Sequence, residues 1–594
     1  MTNTKKTISL IFRGIACLAI ASCSSSEAPQ NEISADQVFL GGTVYTVNTE
    51  QPWAEAVAVK GGKIIFVGST KDAEEFIGTA TKRLDLSGKF MLPGFQDAHI
   101  HPMEGASLAT FFGCRLEEIS RNDKNPENWI PALRECAKQE RPITAVMGGG
   151  HDLSDLLALD RMPKEILDEA IPDVPVVLME KSSHSMWVNS KALELAGITR
   201  DTPNSQGGLI LKDEKTGEPN GILTDSAGDE MTHKVLAQTP ALQQARIEAI
   251  EISQDLMASV GITSATNARV YWERGNLEPW LRAEKEGILK QRNFMALWTY
   301  PHMEDEYQLE QLKSMKREEK KGSLLQLSQV KFYSDGTISN NSAAMLDPYT
   351  HLVYPEAQPL GLNYFTEERM QKYIIELEKT GFDIHVHALG DRAVQETLNA
   401  MEAAQKANPE LVGLHRHQLT HLAMVASEDI SRFGQLGIAA NIQINFDDDG
   451  GLEVGESFDF AGNSESLITP IIEIDKAGGN VILSSDWDVS YMNPLVSVEI
   501  AIEMTQGQWT KEEATAFAIK AYTLNAAHAM HHDDMTGSIE VGKYADLVVL
   551  SKNVFETPTA KIREIPVLET YVGGQEIFSI DNLSSVLGRD LIIE

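Results

Sequence analysis

Along most of the chain, helical patterns that end at glycine alternate with short, strongly apolar runs. The helical pattern of residues 245–261 precedes the apolar run "ITSATNA", and those of residues 367–381 and 427–437 precede "FDIHVHA" and "IAANIQI". A helix that ends at glycine before a buried strand is typical of βα units and a parallel sheet. About eight such units predict an α/β fold, a (β/α)8 TIM-like barrel, with a doubly wound open sheet as the alternative.

The two ends of the chain carry a different pattern, with β-branched residues, alternation and glycine pairs. We expect residues 36–92 and 535–594 to form one small composite β-sandwich. The barrel would then occupy residues 93–534. The segment of about 110–250 follows the βα rhythm poorly. It is interpreted as an insertion beside the mouth of the barrel, where catalytic groups of this fold lie.

Charge narrows the classes of partner. The 594 residues carry a net charge of −35, with a pI near 4.8. Nucleic acid is excluded as a partner because its phosphates are bound by clustered lysine and arginine, which this chain does not concentrate. Past the N-terminal leader, no stretch is long and apolar enough to span a bilayer.

The first 22 residues resemble a bacterial lipoprotein signal peptide. Lys5, Lys6 and Arg13 precede a short apolar segment, and "IASC" ends at Cys23. Cleavage before Cys23 would leave a lipidated N-terminal cysteine, followed by a flexible tether over residues 23–35. This resemblance implies a protein anchored to a bacterial membrane, favouring the outer membrane, and facing the periplasm.

Two cysteines remain after removal of the leader, Cys114 and Cys136. An oxidising compartment permits a disulfide between them. Nothing in the sequence shows that they are close, so we expect two buried thiols.

Three His-x-His pairs occur, whereas a random chain with this histidine content would show roughly 0.4. His99 and His101 follow the turn-like "LPG" that precedes the first predicted barrel strand. Residues i and i+2 of a strand face the same side, so both imidazoles would point into the barrel. Neutral imidazole is the commonest metal ligand, and this pair favours a metal site.

Further candidates lie on or just after later apolar strands. They are Lys331 in "VKFYSDG", His387 in "IHVHALGDRA", His421 in "HQLTHLA" and Asp486 in "VILSSDW". Because the carboxyl ends of parallel barrel strands meet at one face, we expect these side chains to converge with His99 and His101.

With these residues in this order, the chain resembles the amidohydrolase superfamily, in its amidohydrolase-3 branch, which includes N-substituted formamide deformylases. The resemblance covers nearly the whole mature chain. It is carried by "GGTVYTV", "MLPGFQDAHIHP", "HSMWVNSKALELAGI", "GEPNGIL", "VKFYSDGT", "HALGDRA", "ILSSDW", "TLNAA" and "TGSIEVGKYADLVVL".

The resemblance implies a divalent metal cofactor, with zinc favoured, held by His99, His101, Lys331, His387, His421 and Asp486. A Lys331 carboxylated by CO2 would bridge two ions, whereas an ordinary lysine there would leave one ion. Two ions can share a hydroxide that attacks a carbonyl. Asp486 would act as the catalytic base and pass the proton to the leaving amine.

His184, in "HSMWVNSKAL", matches a motif that the branch uses near its substrate. It is expected to be catalytic and to donate a hydrogen bond to the substrate carbonyl, with a capping or packing role as the alternative. Asp335 would orient a ligand or contact the substrate. At the sixth strand many members read Glu-His-Ala-Gln, whereas this chain reads "THLA", which keeps the histidine and lacks the carboxylate.

The other histidines are weaker candidates. His385 shares a face with His387, so it would support a ligand, contact substrate or pack within the strand. We expect His415 and His417 to be surface or loop residues. His531 and His532 are given no role.

We therefore predict a metal-dependent hydrolase that cleaves a non-peptide carbon–nitrogen bond of a small-molecule amide or formamide. A deaminase, or an ester or lactone hydrolase, on the same site is one alternative. A lipid-anchored binding protein with a decayed site is another. The expected partners are a small-molecule substrate and, through the lipid on Cys23, the membrane; a homodimer is left open.

Overall fold

The computed structural model describes residues 34–107, 112–139, 141–317, 322–446, 452–453, 461–462 and 465–582. The predicted signal peptide, Cys23 and nearly all of the predicted tether lie outside these ranges. None of the helices within them has the length and apolarity that a bilayer crossing requires.

Eight parallel strands form the centre of the molecule, in which each strand pairs with its neighbours in chain order. The second and fourth strands are buried at all nine positions, as expected where both faces of a parallel sheet are covered. The strands are β1 (Phe95–Ile100), β2 (Ile262–Val270), β3 (Arg292–Trp298), β4 (Leu325–Tyr333), β5 (Asp383–Ala388), β6 (Gln418–His421), β7 (Ala439–Ile442) and β8 (Asn480–Leu483).

The sheet closes between β8 and β1 at its carboxyl end. The backbone N–H of Asp486 donates to the carbonyl of His99 at 2.9 Å, and that of His101 to the carbonyl of Trp487 at 2.5 Å. The predicted TIM-like barrel is therefore confirmed, and the doubly wound open sheet is wrong. Closure also places the residues that follow β8 beside those that end β1.

Helices cover the outside of the barrel, and their ends follow local chemistry. The hydroxyl of Thr239 caps helix Pro240–Ser259, and Gly261, with φ of 84°, turns the chain into β2. The barrel-associated helices are Pro102–Ser107, Pro240–Ser259, Leu277–Glu286, Asp305–Met315, Glu367–Glu378, Asp391–Ala407, Ile430–Leu436, Ile471–Lys476, Pro494–Met504, Lys511–Ala521 and Leu524–Ala529.

Both chain ends contribute to a β-sandwich, as predicted. Phe39 and Val57 of one sheet pack against Met91, Leu547 and Tyr571 of the other. In spatial order, the first sheet contains Lys63–Gly68, Ala56–Lys60, Gln37–Leu40 and Lys82–Asp85, and the second Gln575–Ser579, Val567–Val572, Leu547–Leu550, Phe90–Pro93, Thr43–Tyr45 and Trp53–Ala54. Strand Phe90–Pro93 leads through Gly94 directly into β1, so the sandwich holds the start of the barrel.

A second α/β unit lies between β1 and β2, within the region interpreted as an insertion. Its sheet has apolar clusters on both faces, around Trp187 and around Val188. In spatial order the strands are Ile210–Lys212, Pro219–Thr224, Ser185–Val188, Val176–Glu180, Val146–His151 and Cys114–Arg115; the helices are Glu117–Asn122, Ile130–Cys136, Leu153–Leu157, Pro163–Ala170, Ser190–Ala196 and Asp225–Val235.

A disulfide joins Cys114 and Cys136 inside this unit, so the expectation of two free thiols is wrong. Their Cα atoms lie 5.1 Å apart. Cys114 begins the edge strand, and Cys136 ends helix Ile130–Cys136. The contact depends on how the helix packs on the sheet, which the spacing of the two residues in the sequence does not show.

Candidate metal centre

The closure of the barrel places Asp486 between the two histidines of the first strand. Asp486 Oδ1 lies 2.8 Å from His101 Nε2 and 3.1 Å from His99 Nε2. The pair with His101 is a hydrogen bond, whereas His99 lacks the alignment for one. One ligand atom from each of the three residues can be chosen so that all lie within 4.8 Å of one another. Both histidines are fully buried.

Two of the site residues occupy an unusual backbone region. Asp486 has φ of 54° and His421 has φ of 80°, both in the left-handed region that side chains other than glycine rarely adopt. Neighbouring strands hold them, because Asp486 donates to β1 and Leu422 donates to Ala388 at the end of β5. Strain maintained in this way is common at functional sites, where it orients a side chain.

Lys331, His387 and His421 approach the same centre from β4, β5 and β6. The imidazole centroid of His421 lies 4.9 Å from the ring centroid of His99 and 4.4 Å from that of His387. Asp486 Oδ2 lies 3.9 Å from His421 Nδ1. Lys331 is fully buried in β4, where it lies opposite His385 of β5 in the strand register. All six predicted metal ligands thus converge at one end of the barrel.

Unpaired nitrogen atoms test whether these residues fit a metal. Five of them are buried without a hydrogen-bond partner among the described residues: His99 Nε2, His101 Nδ1, His387 Nδ1, His421 Nε2 and Lys331 Nζ. A buried polar atom without a partner costs about 1–3 kcal/mol, so a cluster of them requires a compensating ligand. Imidazole nitrogens with a carboxylate are the donor set that zinc prefers. The residues present fit a divalent metal.

Electrostatics keep the donors in the forms that bind metals. Burial lowers the pKa of His421 to about 3 and the pKa of His99 well below its ordinary value. Burial also lowers the pKa of the Lys331 ammonium. Burial raises the pKa of Asp486, but His99 and the hydrogen bond with His101 lower it by more, so the net pKa lies well below its ordinary value. Neutral imidazoles and an ionised carboxylate result.

His385 supports the centre from behind, which resolves the alternatives for this residue. Its Nε2 lies 2.8 Å from His99 Nδ1, and its Nδ1 lies 3.0 Å from the side-chain oxygen of Gln329. A hydrogen bond to the second nitrogen of a ligand histidine fixes the orientation of its ring. His385 therefore orients His99.

His184 reaches the centre from the inserted unit. Its Nδ1 lies 2.8 Å from Asp225 Oδ1, and its ring lies 5.1 Å from that of His387. A cavity beside the metal centre is lined by His184, Asp225, Asp229, Tyr271, Tyr333 and Tyr364, among others. The prediction that His184 lies close to the reacting groups agrees with this position, and its catalytic role stays a prediction.

Asp335 organises the loop after β4. Its carboxylate accepts hydrogen bonds from the backbone N–H groups of Ala344, Leu389 and Gly390, while its nearest approach to His387 Nε2 is 3.7 Å. Burial raises its pKa to about 7. Asp335 therefore supports the segment after His387 rather than bonding to the ring directly.

Gly336, which follows Asp335, allows the inserted unit to approach this loop. A Cβ atom at this position would lie 2.6 Å from Asp225 Oδ1 and 2.1 Å from Ser342 Oγ. The glycine in "VKFYSDGT" is thus required by the packing beside His184.

Sequence reasoning missed several residues that line the site. Asp97 accepts from the backbone N–H groups of His99 and Ser485, and Arg269 is the last residue but one of β2. Tyr333 stacks on His387 with centroids 4.1 Å apart, and Asp225 holds His184. Asp97 and Tyr333 each lie two residues from a predicted ligand, on the same face of a strand. That spacing is the signal that could have found them.

His415 and His417 lie at the opposite end of the barrel, in the loop before β6, as the expectation of surface or loop residues allows, but His417 is not on the surface. His417 is buried, with Nε2 2.8 Å from Glu378 Oε1. His415 is partly buried, with Nδ1 3.2 Å from Asp383 Oδ1. These carboxylates come from other elements, so the local sequence does not show them.

Comparisons with known proteins agree with this architecture. The chain is 27% identical over 575 residues to the protein LONG AFTER FAR-RED 3 of Arabidopsis thaliana, covering 93% of each chain. It is 27% identical over 555 residues to the N-substituted formamide deformylase of Arthrobacter pascens, covering 91% of this chain and 97% of the relative.

A solved structure is similar over most of its length. It is a metal-dependent hydrolase of Pyrococcus horikoshii OT3, with a TM-score of 0.66 and 21% identity, and the match covers 88% of this chain and 99% of the other. The profile of the amidohydrolase family matches residues 82–578, which include the barrel and about half of the sandwich. This chain therefore belongs to the amidohydrolase family, as the motifs of its sequence predicted.

Proposed function

We propose that this protein is a metal-dependent hydrolase that cleaves the carbon–nitrogen bond of a small, non-peptide amide, with formamides as the first candidates. The convergence of His99, His101 and Asp486 with Lys331, His387 and His421 carries the proposal. The deformylase relative, similar over nearly its whole length, supports the choice of bond.

The expected cofactor is zinc, held by the six converging residues. When bound, such a metal polarises a carbonyl oxygen and lowers the pKa of a water molecule. Lys331 is proposed to be carboxylated, because burial keeps its amine neutral and only the neutral amine adds CO2. The resulting carbamate is an anionic ligand among neutral imidazoles.

Asp486 is proposed to be the proton carrier of the reaction. It is ionised and held against His101, so it can accept a proton from the attacking water. As the carbon–nitrogen bond breaks, Asp486 returns that proton to the leaving nitrogen. One water is consumed, a carbon–oxygen bond forms, and a carboxylic acid and an amine are released.

His184 is proposed to bind the substrate carbonyl. Asp225 holds the ring through Nδ1, so Nε2 is the atom available to a substrate in the adjacent cavity. A donor placed where negative charge develops stabilises the transition state by about 3–4 kcal/mol in comparable sites.

We also propose that the protein acts outside the cytoplasm, anchored to a membrane through a lipid on Cys23. The leader sequence suggests this location. The disulfide between Cys114 and Cys136 is compatible with an oxidising compartment.

The test combines a panel of substrates with a single variant of the proposed proton carrier. The full mature chain, loaded with zinc, would be assayed on N-substituted formamides, larger amides, esters, lactones and aminoheterocycles. We expect amide cleavage by the wild-type protein and a loss of kcat of about 10²- to 10⁴-fold in Asp486→Asn. Asp533→Asn, at the opposite end of the barrel, is the control and should match the wild type.

Other outcomes would redirect or overturn the proposal. Turnover of esters or heterocycles alone would keep the hydrolytic centre and reject the amide. No turnover of any substrate by the zinc-loaded chain would reject the hydrolase.

A further inference from the structure

Arg269 differs from the other buried arginines of the described residues in having no carboxylate or carbonyl partner. Arg274 pairs with Asp229 at 2.9 Å and Arg292 with Asp546 at 2.7 Å. Arg246 donates to Gln238 and to backbone carbonyls. Arg269 is 3% exposed, its Nε has no hydrogen-bond partner, and no carboxylate of the described residues forms an ion pair with it.

The guanidinium of Arg269 lies in the mouth of the barrel, at the end of β2. It lies close enough to Tyr333, whose ring stacks on His387, to oppose the rise in the pKa of the Tyr333 hydroxyl that burial causes. Tyr333 and Tyr271 both line the cavity that contains His184. The position is therefore next to the metal centre and beside the space that a substrate would occupy.

A buried cation without a partner carries a cost that a ligand can remove. Burial lowers the pKa of Arg269. Interactions with Tyr333, Tyr271, Asp488 and Asp486 raise this pKa by more than burial lowers it, so the guanidinium stays charged. An isolated charge in a desolvated site costs several kcal/mol. A planar guanidinium is matched best by a carboxylate, which it can bind through two hydrogen bonds.

We propose that Arg269 is a specificity-determining residue that binds a carboxylate of the substrate. The inference rests on the proposed amide hydrolysis and narrows its substrates to amides that carry a carboxylate near the scissile bond. A monoanion fits better than a phosphate, because the cavity already contains the carboxylates of Asp225 and Asp229, which oppose a dianion.

The test uses matched pairs of amides, in which a hydroxymethyl group replaces the carboxylate of one member. N-formylglycine and N-formylethanolamine place the group on the amine side. N-phenylsuccinamic acid and N-phenyl-4-hydroxybutanamide place it on the acyl side. We expect the zinc-loaded wild type to favour the carboxylate in at least one pair by about 10- to 100-fold in kcat/KM.

The variant Arg269→Met removes the charge at similar size. It should lower kcat/KM for the preferred carboxylate by about 10- to 100-fold and change its neutral counterpart by less than about threefold. Arg269→Lys, which keeps the charge and loses the planar pair of donors, should lie between. Equal losses on both members of a pair would show that Arg269 only balances charge in the centre, and would overturn the proposal.

A binding measurement keeps the inference separate from the proposed reaction. N-benzylglycine and N-benzylethanolamine contain no amide, so titration calorimetry on the wild type measures recognition without turnover. Tighter binding of N-benzylglycine supports the carboxylate site even where no amide is cleaved, which would reject the hydrolase alone. Equal binding, or turnover of neutral amides only, overturns the carboxylate site and leaves the hydrolase in place.

Discussion

Asp486 shows how much one position in this molecule depends on its surroundings. Its side chain is ionised although it is nearly buried, because His99 and His101 adjoin it. Its backbone lies in the left-handed region because the bond to β1 holds it there. The sequence predicted Asp486 from its place after an apolar strand. It did not predict Arg269, since an arginine at a strand end has no distinctive pattern.

His184→Ala should lower kcat by about 10²- to 10³-fold, because a donor to the carbonyl is lost. The zinc content should stay the same, since His184 is not among the six proposed ligands. Steady-state kinetics on the best amide, with elemental analysis, measures both quantities. Asp225→Asn leaves the ring in place and is the matched variant, with a smaller expected loss. An unchanged kcat in His184→Ala would assign the ring to packing.

The two ends of the barrel strands serve different purposes. The carboxyl ends of β1, β4, β5, β6 and β8 carry the candidate metal centre. At the opposite end, Asp383 at the start of β5 lies 3.2 Å from His415 Nδ1 and 2.9 Å from His531 Nε2. In this type of barrel, charge pairs at that face contribute to stability rather than to chemistry. The local sequence shows the residues of this cluster but not their pairing.

The cluster around Asp383 should make stability depend on pH. Burial raises the pKa of Asp383, but His415 and His531 lower it by more, so the net pKa is depressed. The stabilisation by the Asp383 carboxylate is therefore present above pH 3.8 and is lost as the pH falls through the depressed pKa. Burial lowers the pKa of His415, but Asp383 raises it more, so this contribution is present below pH 6.5 and lost as the pH rises through the raised pKa.

Asp383→Asn should therefore lower the free energy of unfolding by about 3 kcal/mol at pH 5.5. The loss at pH 8.5 should be smaller. Denaturant unfolding at both values measures the difference from the wild type. The exposed His528, changed to Gln, is the control and should cost less than about 0.5 kcal/mol. Equal losses at the two pH values would contradict the assigned ion pairs.

The disulfide should stabilise the inserted unit. Cys136→Ser opens a loop with a sequence separation of 22, and a loop of this size is worth about 3 kcal/mol. We expect the thermal unfolding of the wild type in reductant to match that of the variant without reductant. A wild type that is insensitive to reductant, with thiols that react with a labelling agent, would show that the bond does not form in solution.

The sandwich and the barrel are joined by a buried ion pair. Arg292 at the start of β3 forms two bonds to Asp546 of the sandwich segment, at 2.7 and 3.0 Å, and Asp546 also accepts from the backbone of Gly573. The strand Phe90–Pro93 connects the same two parts through the chain. Together they fix the start of β1, and hence His99 and His101, relative to the sandwich.

Asp546→Asn should lower the free energy of unfolding by about 3–5 kcal/mol, because it leaves the Arg292 charge buried without its partner. The double variant Arg292→Met, Asp546→Leu should recover most of that loss, since no buried charge remains. Denaturant unfolding of the three proteins measures both effects. A double variant that is no better than Asp546→Asn would show that packing, rather than charge, governs this junction.

The sequence by itself determined the alternation of helix and strand, the family and the six converging residues. These depend on periodicity and on short motifs, which are local properties of the chain. The pairing of Cys114 with Cys136, the burial of His417, the support of His99 by His385 and the isolation of Arg269 were decided only by folding. Each depends on which distant element packs against it, because burial and charge pairing are properties of neighbours in space rather than neighbours along the chain.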